Sequence, residues 1–403
     1  MTTSALEVAE IFRRYGEAYR ATHGFSGPQR RAMTAIEQCR TAALGGHRYE
    51  CERCGREHAV YHSCRNRHCP KCQGLDRAEW LEARLEDLLP IEYFHVVFTI
   101  PDTLYPLFLA NPVRLYNLLF QAAQQTLQKL GADPKHLGAQ LGILAVLHTW
   151  NQVLGFHPHA HCIVTGGGLS PDHRRWVSAR PGFLFPIPVL RSLYRGKFLA
   201  GLKVLYDEGR LRLPGHLAEL SDPLRFEAFL SPLHEIEWVV YAKPPFAGPE
   251  MVFRYLGRYT HRVAISNQRL VGLDGDDVSF RYKDRAAEDR WKTLRLPALE
   301  FIRRFLLHIL PDRFVRIRYF GLLAHRHRRR LLALSRDLLG VPAAATEAGS
   351  PTEADAAPEP WHERLLRLTG FDALLCPACK VGRLRLVATL AAQRTAAPSR
   401  APP

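Results

Sequence analysis

Two cysteine pairs near the N-terminus set the tightest limit on how this chain folds. Cys51-x-x-Cys54 is followed, after fourteen residues, by Cys69-x-x-Cys72. A CxxC loop turns two thiolates toward one ion, and a connection of that length lets two such pairs meet in a tetrahedral Cys₄ zinc site. Cysteines packed in an apolar core do not explain the paired spacing. Residues 39–72 are therefore expected to form a small zinc-held module. The same stretch holds Cys39, His47, Cys64 and His68, a candidate second zinc site, with His58 and His62 competing for the same role. One zinc with spare polar residues stays open beside that reading. Arg48, Arg53, Arg56, Arg65, Arg67 and Lys71 surround the cluster, as the rim of a DNA-docking unit would. Far downstream, Cys376-Pro-Ala-Cys379 is half of another site. It is open to completion by His325 or His327, or by the N-terminal cluster; an unfilled knuckle is the alternative.

Charge narrows the partner. Lys plus Arg total 55 against 39 Asp plus Glu, a net charge of +16 in 403 residues. That favours a polyanion, with nucleic acid ahead of an anionic membrane surface. No apolar run approaches the roughly 18 residues that span a bilayer. Residues 1–14 contain Glu7 and Glu10 and no signal-peptide core, so a cytoplasmic protein is expected. In that compartment cysteines serve metals rather than disulfides.

Periodicity and turn residues predict an α+β chain. Helices are expected over 6–44, broken at 24–28, and over 76–89. Strands follow at 93–100, 141–150, 159–165 and 235–242, separated by helices over 104–130 and 190–208. A helix over 250–261, a hairpin over 263–282 turning at 274–277, a helix over 298–310 and a basic run at 313–330 complete the ordered part. The expected division is a helical and zinc-binding region at 1–90, a catalytic domain at 91–335 with a helical insertion at 169–232, a flexible linker at 336–360, and a C-terminal segment at 361–403 with the CPAC motif and a disordered tail.

Within that domain, His157-Pro158-His159-Ala160-His161 is the second strong feature. Residues two apart on a strand share a face, so His159 and His161 project together and can ligate one divalent ion. The third ligand is not readable; Asn267, Gln268, Glu208 and Gln152 are candidates. Pro158 cannot donate to a sheet ladder, which places the strand start there. The third feature is Phe253-Arg254-Tyr255-Leu256-Gly257-Arg258-Tyr259-Thr260-His261-Arg262. Tyr255 and Tyr259 share one helix face, about 5–6 Å apart, beside a stripe of Arg254, Arg258 and Arg262. Two phenols flanked by guanidiniums suit attack on a phosphodiester.

The runs HPHAHCIVTGGGL and YLGRYTHRVAISNQRL, preceded by SCRNRHCPKCQ, resemble the HUH-type rolling-circle transposases of bacterial insertion sequences, the IS91 family. The resemblance covers about residues 39–330. It implies an HUH endonuclease-type antiparallel sheet with helices, preceded by the family's zinc domain. It implies His159 and His161 as ligands of a catalytic Mg²⁺ or Mn²⁺, and Tyr255 and Tyr259 as paired nucleophiles that form 5′-phosphotyrosine links. The implied partners are single-stranded or hairpin DNA at the ends of a transposable element and target DNA, in a bacterial, nucleoid-associated setting. Three readings compete. A replication initiator or relaxase would share the chemistry but not the zinc domain. A non-catalytic zinc DNA-binding protein leaves the histidine strand and tyrosine pair unexplained. A zinc metallohydrolase would not need the tyrosines.

Overall fold

Proline and glycine cut the chain into the elements of the computed structural model, which describes residues 6–243, 251, 257, 263–284, 287–341 and 359–393. Two helices open it, α1 (Val8–Thr22) and α2 (Gly27–Gln38). Ser26 and Gln29 start α2 with a reciprocal capping box, which satisfies N–H groups that the first turn leaves unpaired. Both helices bury their apolar stripes far downstream, against α8 (Ala298–Leu306) and the sheet of β8 (Leu270–Asp274), β9 (Asp277–Asp284) and β10 (Arg290–Pro297). Phe12 meets Phe305 edge-on at 5.2 Å within that core. Residues 6–38 thus share a core with 264–306.

The main sheet has the order β11-β4-β5-β3-β7, with β6 paired to β5. Its strands are β3 (Tyr93–Thr99), β4 (Gln140–Trp150), β5 (Phe156–Leu169), β6 (Trp176–Ser178), β7 (Val240–Lys243) and β11 (Ile317–Gly321). Every pairing is antiparallel. Alternation sorts the side chains into two faces. Phe94, Val96, Phe98, Ile143, Ala145, Leu147, Ala160, Cys162 and Val164 enter one core, beneath α4 (Tyr105–Ala110), α5 (Pro112–Ala132), α6 (Ile187–Asp207) and α7 (Pro223–Glu235). Pro112 and Pro223 each sit in a first helical turn, where the missing N–H costs nothing. Trp238 closes this core on Tyr194 and Phe198, at 5.5 and 5.3 Å between rings. The opposite face carries Tyr93, Leu144 and Ile163 under α3 (Gln73–Leu85) and α9 (Arg328–Leu338). Beyond that cover it carries histidines.

The strand expected to begin at Pro158 begins two residues earlier. The register between β4 and β5 shifts between His148 and Trp150, and Pro158 lies in that irregularity, where no ladder donor is needed. A third, small sheet has the order β12-β1-β2, from β1 (Gly46–Cys51), β2 (Glu57–Tyr61) and β12 (Leu384–Leu390). Just before β12, α10 (Trp361–Thr369) rests on α3, where Arg364 pairs with Glu79 and Arg367 with Glu82. The tyrosine helix expected at 250–261 falls outside the described residues except for Met251 and Gly257, as do linker positions 342–358 and tail positions 394–403.

His308 is fully buried between the first core and the main sheet. Its Nε2 lies 3.1 Å from the Leu154 carbonyl and its Nδ1 3.3 Å from the Thr149 hydroxyl. Burial outweighs those hydrogen bonds and holds its pKa down at about 4, against 6.5 when exposed. The unfolded chain therefore takes up this proton first on acidification. The stability linked to His308 is complete above pH 6.5 and is lost as pH falls toward 4, roughly 3 kcal/mol in all. Thermal unfolding from pH 7 to 4.5 should show a decline that flattens in His308→Gln. An unchanged slope would assign the acid sensitivity elsewhere.

Candidate functional site

β5 presents His159 and His161 on the face away from α4–α7. Register supplies a third imidazole, because His148 of β4 lies directly opposite His159. Ring centroids are 5.4 Å apart for His148 and His159, 4.5 Å for His148 and His161, and 4.8 Å for His159 and His161. One nitrogen from each lies within 4.8 Å of the others, so the three can hold one metal ion. Two of the rings have visible orienting partners. His159 Nδ1–H donates to the His157 carbonyl at 2.7 Å, which places the lone pair on Nε2. His161 Nδ1 lies 2.8 Å from Nε2 of His95, on the adjacent β3. Burial first, then the charge of Lys243, push His95 down to about 4, so it is neutral near pH 7. Such outer hydrogen bonds fix the tautomer and aim of a ligating imidazole. His148 is braced by stacking on Trp150 at 4.5 Å.

His157 takes a positioning place instead, 2.6 Å from the Tyr105 hydroxyl. Of the sequence candidates for a third ligand, Asn267 accepts from the Val8 N–H at 3.1 Å, and Glu208 pairs with Arg210 at 2.8 Å beyond the end of α6. His148, His95 and Lys243 escaped the sequence reading. Lys243 pairs in register with His95 on β7, and Tyr241 beside it is exposed.

Tyr255, Tyr259, Arg254, Arg258 and Arg262 lie outside the described residues. Gly257, between the two tyrosines, is helical and buried. A methyl group there would come within 3.2 Å of Leu81 on α3. Leu81 packs onto the core that covers the lower half of the histidine face.

The cysteines group differently from the expectation. Cys51 and Cys54 do not meet Cys69 and Cys72; the sets are Cys39, Cys64, Cys69, Cys72 and Cys51, Cys54, Cys376, Cys379. The hairpin explains it. Cys51 and Cys54 sit at the tip of β1–β2, while Cys64 follows its base, about 17 Å away for strands of this length. Cys39, at the end of α2, completes the base set, with Sγ 3.4 Å from that of Cys72. His47 and His68 are not ligands there. His47 Nε2 faces that of His62 at 3.2 Å, and His68 Nε2 accepts the Leu310 N–H at 3.2 Å. Burial drives His68 down to about 3 and keeps it neutral. The four sulfurs of this set lie within 4.8 Å of one another, with Cys64 Sγ 3.6 Å from Cys72 Sγ. The basic rim is partly consumed: Arg67 donates to the carbonyls of Phe314 and Pro311, and Lys71 pairs with Glu7 at 2.7 Å. Arg53, Arg56 and Arg65 remain exposed.

Residues 11–100 match the family model of the IS91 "Transposase zinc-binding domain", and residues 142–330 match one described as "Putative transposase". The chain is 52% identical over 385 residues to "Putative transposase y4qJ" of Sinorhizobium fredii, covering 95% of each chain. The chain belongs to the IS91 family of transposases. The transposase is also 28% identical over 310 residues to the "Transposase for insertion sequence element IS801" of Pseudomonas savastanoi pv. phaseolicola, 73% of this chain and 70% of that one. No solved structure matches it. Membership makes it a DNA-processing enzyme with a zinc-binding domain, and its α+β architecture and antiparallel sheets agree with the expected fold class. No helix among the described residues is long and apolar enough to cross a membrane.

Proposed function

We propose that this transposase cuts and rejoins single DNA strands by tyrosine attack beside a divalent ion, driving rolling-circle-type transposition. The observation that carries the reading is the convergence of His148, His159 and His161 on one face of the central strands. Gly257, the described residue between the two tyrosines in sequence, supports it, because it is buried against Leu81 of α3, which covers the same side of the sheet. A Mg²⁺ or Mn²⁺ ion held by the three imidazoles would polarise the scissile phosphate and offset charge at the leaving oxygen. An all-nitrogen donor set is softer than Mg²⁺ prefers, which favours Mn²⁺ in competition.

The chain's own groups do the rest. The phenol oxygen of Tyr255 or Tyr259 forms the new P–O bond as the bond to the 3′ oxygen breaks. The phenolic proton is balanced by the 3′-hydroxyl released. The phosphate stays esterified to tyrosine on its 5′ side, so the bond is conserved for rejoining. Arg254, Arg258 and Arg262 would grip the phosphate oxygens, and Lys243 adds a cation beside His95. A second tyrosine one helical turn away can take another strand while the first remains loaded.

Incubation with end-labelled single strands spanning the element's ends tests this. A 3′-labelled strand should shift onto the protein, while the 5′-labelled fragment is released bearing a 3′-hydroxyl. Label on the opposite fragment, or free phosphate ends with no adduct, would sink the mechanism. Affinity for the same strands should fall steeply with salt, because each Lys or Arg on a phosphate releases counterions. Six to ten such contacts predict a loss of about 10³–10⁵-fold between 50 and 200 mM salt. A flat salt titration would contradict the electrostatic reading.

A further inference from the structure

The thiol set at the hairpin tip is built from the two ends of the chain. Cys51 and Cys54 close the turn of β1–β2; Cys376 and Cys379 precede β12, which pairs with β1 from Gly46↔Leu390 to Cys51↔Leu384. The two CxxC loops have the same backbone form. The N–H after the second cysteine returns to the carbonyl of the first, Gly55 to Cys51 at 2.9 Å and Lys380 to Cys376 at 3.0 Å. Both of these residues are left-handed, with φ of +67° and +60°. N–H groups also point at sulfur, from Cys54 to Cys51 Sγ at 3.5 Å and from Gly382 to Cys379 Sγ at 3.2 Å.

Across the gap, Cys51 Sγ lies 3.7 Å from Cys379 Sγ and Cys54 Sγ lies 3.9 Å from Cys376 Sγ. A tetrahedron with Zn–S arms of about 2.3 Å has edges of about 3.8 Å. Gly382 permits the approach, since a methyl group there would collide with Cys51 Sγ. Little else holds the module together. Its buried apolar cluster is Cys51, Cys376 and Leu384, with Tyr49 and Cys379 packed alongside. A core that small does not fold a three-stranded sheet without a metal or cross-link.

We propose that Cys51, Cys54, Cys376 and Cys379 bind a second structural zinc ion, which clasps the C-terminal segment to the N-terminal hairpin as one discontinuous zinc ribbon. The matched zinc-binding domain at residues 11–100 contains only half of these ligands. The Cys39 set holds the other ion independently.

Zinc content of the full-length protein by elemental analysis is the direct test. Two ions per chain are expected for the native sequence, and one for C376S/C379S, for C51S/C54S and for all four changes combined. The combined variant losing no more than either pair shows that the four cysteines serve one ion. A single zinc in the native chain, or two retained in C376S/C379S, overturns the proposal. Should the variants aggregate, alkylation of the native protein decides. Without zinc at this set, the exposed Cys54 would react at once. With it, Cys51, Cys54, Cys376 and Cys379 should be protected together and become reactive in step as a chelator removes one equivalent of zinc. Reaction of Cys376 and Cys379 with no zinc released overturns the proposal equally.

Discussion

A transposase carrying both Tyr255→Phe and Tyr259→Phe should form no covalent adduct with any strand. Each substitution removes one oxygen and almost no volume, so folding is spared while the nucleophile is lost. The single changes should behave differently from the pair. Either one should block complete transposition, which needs two strands processed in turn. Cleavage of one strand should survive each, because i, i+4 spacing on a helix would put the remaining phenol about 5–6 Å away, within reach of the same phosphate. Tyrosines that only pack would give modest stability losses and normal adduct in all three proteins. Adduct in the double variant, mapped by mass spectrometry to another residue, would overturn the assignment; Tyr241, exposed beside Lys243 on β7, would then be the first suspect.

His148→Ala, His159→Ala and His161→Ala should each remove cleavage while DNA affinity stays within about twofold. In the proposed mechanism the ion would act on the scissile phosphate and not on the bulk of the bound strand. Losing several kcal/mol of charge stabilisation in the transition state lowers the rate by about 10³-fold or more. His148 is the discriminating member, since it lies outside the His-x-His run and joins the group only through strand register. Full cleavage by His148→Ala with His159→Ala inactive would reduce the centre to two histidines. His95→Ala should act more mildly. His95 touches His161 and is not one of the three grouped imidazoles, so its loss should raise the metal concentration required by about 10–100-fold, with activity restored at high Mn²⁺. Add-back must be made with the zinc content of the protein unchanged.

What could be read in advance followed from local chemistry. β3 and β4 were legible because their apolar runs end at Pro101 and at Trp150; β5 was legible in its middle but runs past the expected end at 165, through the glycine triplet to Leu169. The hairpin turning at 274–277 was equally plain from Asp274-Gly275-Asp276-Asp277. β10 and β11 were not, because Arg290–Pro297 is mostly exposed, with Arg290, Lys292 and Arg295 among its residues, and Ile317–Gly321 is an edge strand inside a basic run. Both sit where a strand needs no apolar alternation. His148 was hidden for another reason. Spacing along one strand shows which residues share a face, but which residue of the next strand stands opposite is set by pairing register. The cysteines failed in the same way. Each CxxC announced two ligands, yet the β1–β2 hairpin holds the first pair apart from the second, and the true partner of Cys51 and Cys54 lay beyond residue 370. Cys39 was expected in a set with His47, Cys64 and His68, because the end of α2 had no visible position relative to α3.

The small sheet also has a place in time. Chains leave the ribosome N-terminus first, so β1 and β2 are exposed long before β12 exists. The 322 residues from Cys54 to Cys376 take roughly 15–65 s to synthesise at about 5–20 residues per second. During that interval β1 has an unpaired edge, while the histidine strands are made. A chain whose translation stops between residues 169 and 384 therefore carries every histidine of the centre but lacks the strand that completes the small sheet. Copies of the gene truncated between residues 169 and 384 should encode proteins that fail at this sheet before they fail at the histidine centre.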